Sequence, residues 1–251
     1  MMNTLQNKVA LITGSARGLG KAIAERYAAL GANIILNYSR DKASAEEVVR
    51  IIASMGTKVI AVQADVTKPQ EVTRLFQEGI KAFGKIDIVV ANAGIELIQL
   101  PVTDFTEEQF DRVFSINVKG SYFTLQEAAR HIADQGRIIY ISSSTTTSPV
   151  PGMAVYGGSK TTPKYLVEIL AKEIGHRGVT VNTIIPGPVA NTGVFTEMAT
   201  SDPFYQELLN GSPMGRLTTV DDVADIAEFF ASDLASFVSG QHMLVNGGSK
   251  Y

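Results

Sequence analysis

Short runs of β-branched and aliphatic residues alternate along the chain with longer stretches whose apolar residues recur at helical spacing. The runs KVALIT (8–13), NIILN (33–37), KVIAVQ (58–63), IDIVVA (86–91), RIIYIS (137–142), VTVNTII (179–185) and HMLVN (242–246) are bounded by turn residues and read as buried strands. Between them LGKAIAERYAAL, ASAEEVVRIIASM, PQEVTRLFQEGIKAF, TEEQFDRVFSINVKGSYFTLQEAARHI and TTPKYLVEILAKEI carry the periodicity of amphipathic helices. Strands apolar on both faces, alternating with helices, predict an α/β fold: a seven-stranded parallel sheet, doubly wound, with helices on both faces. Right-handed crossovers in such a sheet leave ligand sites at the carboxyl ends of the strands.

No Gly/Ser/Pro-rich linker and no internal repeat interrupts the alternation, so residues 1–251 read as a single domain. One long irregular stretch, 186–218, follows the sixth strand, and connections of that length inside a compact domain are usually lids or binding loops. Its apolar residues Val194, Phe195, Met198, Phe204, Tyr205 and Met214 suit either the wall of an apolar pocket or the packing of the lid on itself.

Composition narrows the function classes. The chain of 251 residues is 45% hydrophobic and 19% charged with a net charge of −3, and it has no block of basic residues to track a nucleic-acid backbone. There is no cysteine, which excludes disulfides and thiolate chemistry and fits a cytoplasmic location. His131, His176 and His242 are scattered without metal-ligand spacing, so no metal is expected. The opening MMNTLQNKVALITG has neither the charged nor the apolar segment of a signal peptide, and no apolar run is long enough to span a membrane.

Candidate chemistry begins where the first strand meets TGSARGLG. Gly14, Gly18 and Gly20 lie in a strand-to-helix turn, where missing side chains and a helix N-terminus suit a pyrophosphate; a tight turn without a ligand is the alternative. A second signal is VYGGSK (155–160), with Tyr156 and Lys160 one helical turn apart. The spacing recurs at Tyr38 and Lys42, so spacing alone does not choose between the pairs.

Context chooses. TGSARGLG, ADV (64–66), ANAG (91–94), IN (116–117), ISSS (141–144), YGGSK (156–160), PG (186–187) and VNGG (245–248), in this order, resemble the short-chain dehydrogenase/reductase family over nearly the whole chain. The resemblance implies a Rossmann fold and an enzyme acting on CH–OH/C=O groups. It implies catalytic roles for Asn117, Ser143, Tyr156 and Lys160. Ser143 is favoured over Ser142 and Ser144 only by its interval of 13 residues from Tyr156. Tyr156 is the expected general acid/base, Ser143 the group that polarises the substrate oxygen, and Asn117 part of a proton relay behind Lys160. A positive charge at Lys160, joined by that of the oxidised nicotinamide, is expected to lower the phenol's pKa.

For the cofactor, the resemblance implies contacts from Gly14, Ser15, Arg17, Gly18, Leu19 and Gly20 to the pyrophosphate. Asp65 and Val66 would meet the adenine, and Asn92, Ala93 and Gly94 the ribose. Pro186, Gly187, Val189 and Thr192 would shape the nicotinamide site, and Lys160 and Tyr156 would reach its ribose. Family members that prefer NAD end the second strand with an acidic residue. Here the sequence is Tyr38, Ser39, Arg40, and with Arg17 it predicts NADP(H) over NAD(H), unless Arg40 merely pairs with Asp41.

The match departs at Ala91, where asparagine is common, at Asn246 in place of aspartate, and at Asn191, a one-residue insertion before Thr192. The expected function is NADP(H)-dependent interconversion of a small, apolar ketone or aldehyde and its alcohol. A 3-oxoacyl thioester reductase is the enzymatic alternative, with Arg177 at one basic carrier position but Ala133 and Asp134 at another. A non-catalytic dinucleotide-binding sensor or scaffold is the alternative from another class. The resemblance also implies a homotetramer joined through helices around 106–131 and 153–176 and the last strand.

Overall fold

A computed structural model describes residues 4–250. The first three residues of the opening stretch and Tyr251 lie outside the described residues. All seven expected strands form: β1 (Val9–Ile12), β2 (Asn33–Tyr38), β3 (Val59–Gln63), β4 (Ile88–Ala91), β5 (Arg137–Ile141), β6 (Thr180–Pro186) and β7 (His242–Val245). They pair in parallel in the order β3-β2-β1-β4-β5-β6-β7. The chain winds outward from β1 in one direction and from β4 in the other, so the topological switch point lies between β1 and β4.

Strand pleating explains the two layers. Ala10, Ile12, Ile34, Leu36, Ile88 and Val90 face one layer, with α1 (Gly18–Ala29), α2 (Lys42–Ser54) and α8 (Val220–Ala231). Val9, Leu11, Ile35, Val89 and Ala91 face the other, with α3 (Pro69–Phe83), α5 (Ser121–His131) and α6 (Ala154–Ile174). Between α4 (Glu107–Phe114) and α5 the helix widens into a π turn over Ser115–Gly120. Such turns are frequent at functional sites, and this one carries the buried Asn117.

Two helices are additional to the sequence expectations. Within the supposedly irregular 186–218 lies α7 (Pro203–Asn210), started by the Asp202 side chain, which accepts from the Phe204 amide at 2.8 Å. Its eight residues are too few to show a period. The other is α8, whose signal was present: Thr219 and Asp222 form a capping box ahead of apolar residues at helical spacing. The helix α6 begins at Ala154, ahead of the periodic stretch that starts at Thr161, and Gly157 and Gly158 interrupt the apolar pattern of its first turns.

Candidate active site

The loop after β1 is tied to β2 by Asn37. Its side-chain oxygen accepts from the Gly14 amide at 3.1 Å, and its carbonyl accepts from the Ser15 amide at 2.9 Å. Ser15 donates its hydroxyl to Ile12 O at 2.8 Å and in turn accepts from the Asn37 amide at 3.2 Å. The loop is therefore held in place by hydrogen bonds of its own. Gly14 and Gly18 take left-handed φ values of 63° and 56°, which disfavour any side chain there. No atom lies within 4 Å of where a Cβ on Gly18 would point, and α1 has no side-chain N-cap. The helix thus starts without a side-chain cap beside open space at Gly18, as an anion requires, while Gly20 is packed so closely that a Cβ would stand 2.6 Å from Asn92 Nδ2 and from Gly14 O.

Across the switch point, Asn92 donates from Nδ2 to the carbonyls of Thr13 and Gly14 at 2.9 and 3.2 Å. The amides of Asn92 and Ala93 both donate to the Thr13 hydroxyl. These bonds lock the ends of β1 and β4 together. At Gly94 a Cβ would sit 3.0 Å from Lys160 Nζ and 3.2 Å from Asn117 Oδ1, so only glycine lets those two groups come so close to the backbone. Asn117, fully buried, accepts from the Ile95 amide at 2.8 Å and donates to Ile95 O and to Ser159 Oγ, each at 2.9 Å.

The serine expected from its interval is the one that faces Tyr156. Ser142 donates to Lys160 O at 3.3 Å and is buried, whereas Ser143 is in hydrogen-bond contact with the Tyr156 hydroxyl. Lys160 is buried too, and its Nζ donates to Ile141 O at 3.1 Å and lies 5.6 Å from the centre of the Tyr140 ring. Burial lowers its pKa to about 8, against a supporting field from Glu96.

The phenol departs from expectation. Burial first, then the charge of Glu96, push the Tyr156 pKa above its ordinary value; contact with Ser143 opposes them and a hydrogen bond to Glu96 adds to them. The anticipated lowering by Lys160 is reversed in this structure because both groups are buried and a carboxylate stands beside them. Tyr156 is accordingly held in its neutral form. Glu96 was missed in the sequence. Its only signal is that it lies two residues beyond ANAG, on a loop leaving the carboxyl end of β4.

Above these groups lies a cavity walled mainly by apolar side chains: Leu19, Ile98, Val150, Met153, Val189, Val194, Phe195, Phe204 and Leu208. Both readings of the lid hold in part. Val194, Phe195 and Phe204 face the cavity, Met198 and Tyr205 pack in the lid's own cluster with Leu208 and Leu217, and Met214 is exposed. Asn191 adopts a left-handed φ of 57°, which absorbs the inserted residue and brings Thr192 to the cavity, its hydroxyl donating to Val189 O at 3.0 Å. Pro186 and Gly187 also line the cavity, and the Gly187 amide donates to Val245 O at 2.9 Å.

The remaining expected residues are spread along the carboxyl edge of the sheet. Asp65 accepts from the Thr67 amide and hydroxyl on one oxygen, and Val66 is buried against Gly120. Tyr38 ends β2, while Lys42 opens α2 in an exposed pair with Glu46 at 3.5 Å, so the second Tyr–Lys spacing is not a pair at this site. Ser39, Arg40 and Arg17 are exposed, and among the described residues neither arginine enters an ion pair. Asp41 instead caps α2, accepting from the Ser44 amide at 3.0 Å and the Ser44 hydroxyl at 2.7 Å. Arg177 donates to Asp134 at 2.8 Å and to the carbonyls of Ala129 and Ile132. Among the described residues no group of three His, Cys, Asp or Glu could hold a metal, and no helix is long and apolar enough to cross a membrane.

Known proteins share this arrangement. A family described as enoyl-(acyl carrier protein) reductase matches residues 14–250. The hydroxynaphthalene reductase-like protein Arp2 of Metarhizium brunneum is 38% identical over 98% of this chain and 96% of its own length. The versicolorin reductase stcU of Emericella nidulans is 40% identical over the same shares. A short-chain dehydrogenase from Burkholderia cenocepacia J2315, solved in complex with NADP, superposes with a TM-score of 0.92 at 32% identity, covering 99% of this chain and 100% of that one. The chain belongs to the short-chain dehydrogenase/reductase family.

Proposed function

We propose that the protein is an NADP(H)-dependent oxidoreductase that reduces a small, apolar ketone or aldehyde to its alcohol, and runs the reverse reaction. One observation carries this reading: the hydroxyls of Ser143 and Tyr156 meet on the floor of an apolar cleft, beside the end of β4 and the buried Lys160. The uncapped start of α1 suits a dinucleotide's pyrophosphate, and the unpaired Arg17 and Arg40, with Tyr38 and Ser39, suit a 2′-phosphate. Asp65 and Val66, Asn92 to Gly94, and Pro186, Gly187, Val189 and Thr192 would complete the cofactor contacts. The NADP complex of the Burkholderia relative supports the same choice.

When bound, NADPH supplies the hydride to the carbonyl carbon. Tyr156 donates its proton to the oxygen of the nascent alcohol, and Ser143 donates a hydrogen bond to that oxygen as charge develops on it. Lys160 supplies positive charge that steadies the tyrosinate left behind. Asn117 fixes the loop at Ile95 and the helix at Ser159, keeping Lys160 and Tyr156 in register. The chain acts as one domain, with residues 186–218 as the lid over the substrate.

The test is oxidation of NADPH with a panel of ketones and aldehydes, wild type against Tyr156→Phe. Loss of the hydroxyl should cost ~10²–10⁴-fold in kcat with little change in cofactor affinity. Near-normal turnover by the variant would refute the assignment. A carrier-linked acyl thioester reductase is the second reading, favoured by the description of the matching family. Against it, Arg177 is committed to Asp134 and backbone carbonyls. Tight NADPH binding without turnover of any carbonyl compound would instead point to a sensor or scaffold. A cytoplasmic homotetramer is part of the proposal, supported by exposed Phe110, Tyr122, Tyr165 and Leu244 on the helices and strand expected to join subunits. Light scattering at the mass of a monomer would contradict it.

A further inference from the structure

Besides Ser143 and Tyr156, the wall of the cleft includes Thr145, whose hydroxyl the reaction above leaves unused. Ser143 has an extended backbone and caps the short 3₁₀ turn Ser144–Thr146, which brings residue 145 back over residue 143. There the Thr145 amide donates to Ser143 Oγ at 3.4 Å, and the Thr145 hydroxyl donates to the same oxygen at 3.0 Å. Thr145 is steadied on its other side by α6. A Cβ on Gly157 would stand 3.5 Å from the Cβ, Oγ1 and carbonyl oxygen of Thr145, so the threonine packs against the turn that carries Tyr156. Branching at its Cβ restricts the side chain further.

A serine oxygen has two lone pairs and one proton. With both lone pairs taken by donors from Thr145, Ser143 can only donate. A carbonyl oxygen is an acceptor, and the alkoxide it becomes is a stronger one, so this is the state that reduction needs. Tyr156 must spend its single proton on that same oxygen. A Ser143 with a free lone pair would compete for the phenol proton and turn the two hydroxyls toward each other. Chained hydroxyls also polarise one another, so the bond from Thr145 makes Ser143 the stronger donor.

We propose that Thr145 is a positioning residue: its hydroxyl fills the accepting side of Ser143 and directs the Ser143 proton at the reacting oxygen. The proposal rests on the reductase reading and adds to it a group that acts through Ser143 and not on the substrate itself.

The experiment follows acetophenone reduction by NADPH in wild type, Thr145→Val, Thr145→Ser, Ser143→Ala and the Ser143→Ala/Thr145→Val double variant, each first checked for folding by circular dichroism. Thr145→Val removes the hydroxyl at nearly constant shape and should lower kcat/KM about tenfold, most of it in kcat, because the bond to the substrate strengthens as charge develops. Thr145→Ser restores the hydroxyl and should recover most of that loss. Once Ser143 is alanine, Thr145→Val should cost nothing further. No loss in Thr145→Val, an equal loss with and without Ser143, or a Thr145→Ser as slow as Thr145→Val overturns the proposal and leaves the reductase reading standing. Calorimetric titration of acetophenone into protein saturated with NADP⁺ reads the same hydrogen bond without turnover. Thr145→Val should weaken that binding about threefold, and only while Ser143 is present. This pattern without any turnover supports the role of Thr145 and refutes only the reductase reading. Without turnover, an affinity that Thr145→Val leaves unaltered, or no binding by wild type, overturns both.

Discussion

The Nζ of Lys160 donates to the carbonyl oxygen of Ile141 across 3.1 Å, fastening the first turns of α6 to the last residue of β5. This bond holds a buried ammonium beneath the cleft at a site where burial has drawn its pKa down to about 8. A lysine so shifted is charged below that value and neutral above it.

The pH profile of reduction follows from that sign. Burial and Glu96 keep the Tyr156 phenol protonated across the neutral range, so Lys160 is the group that titrates there. As pH rises through about 8, the charge that steadies the tyrosinate is lost, and kcat/KM for reduction should fall with an apparent pKa near 8. Glu96 raises the lysine's pKa, so Glu96→Gln should move the falling limb to lower pH. Lys160→Met should remove the limb together with most of the activity. A wild-type profile that stays flat between pH 7 and 10 on the scale of about one pKa unit contradicts this account.

Gly94 separates the role of position from that of fold. A Cβ there would stand 3.0 Å from Lys160 Nζ and 3.2 Å from Asn117 Oδ1, so Gly94→Ala must displace one of them. The displacement needed is a few tenths of an ångström; since roughly an ångström of misplacement can cost about 10²-fold in rate, a fall in kcat smaller than that is expected. The clash falls at the cleft rather than in the apolar layers, so the melting temperature should stay close to that of wild type. An unchanged kcat would show that the lysine need not sit where it does.

Arg17 and Arg40 should decide between the two nicotinamide cofactors. Both are exposed and unpaired among the described residues, while Asp41 is occupied in capping α2. Removing one charge-assisted contact to phosphate costs about 1.5–3 kcal/mol, so Arg40→Ala should lower kcat/KM for NADPH about tenfold or more. Its kcat/KM for NADH should barely change, and Arg17→Ala together with Arg40→Ala should erase the preference. Equal losses with both cofactors would mean that the arginines do not read the 2′-phosphate.

The strands were legible because each is apolar on both faces, a pattern that pleating turns directly into two layers. Ser143 was legible by its interval from Tyr156, and the structure distinguishes it physically from Ser142, whose hydroxyl is spent on the Lys160 carbonyl. Thr192 was obscured because sequence does not reveal that Asn191 would take a left-handed turn. The sign of the phenol's shift and the part played by Glu96 were beyond pattern. The contact between residues 96 and 156 exists because β4 lies beside β5, and that is fixed by the order of strands rather than by any local spacing. Helix α7 escaped because eight residues carry too little periodicity, whereas α8 had a capping box that could have been read.

That capping box makes the last prediction, one about stability. Asp222 receives Arg216 NH1 and NH2 at 2.5 and 2.8 Å, and the Thr219 amide and hydroxyl at 2.8 Å each. The Arg216 guanidinium, before the Thr219 contacts, holds its carboxyl far below the ordinary value of 3.8. A carboxyl lowered on folding stabilises the native state fully above its ordinary value, and this contribution erodes as pH falls below it. Helix α8 covers α1, with Tyr27 donating to Ala227 O at 2.8 Å, so fraying at its start is felt in the core. Asp222→Ala should therefore cost about 1–2 kcal/mol in chemical denaturation at neutral pH, the scale of a lost helix cap. The gap from wild type should shrink progressively as pH is lowered below 3.8, the remainder being lost only as pH falls through the depressed folded-state value. A gap independent of pH would mean that Asp222 stabilises the helix by its shape and not by its charge.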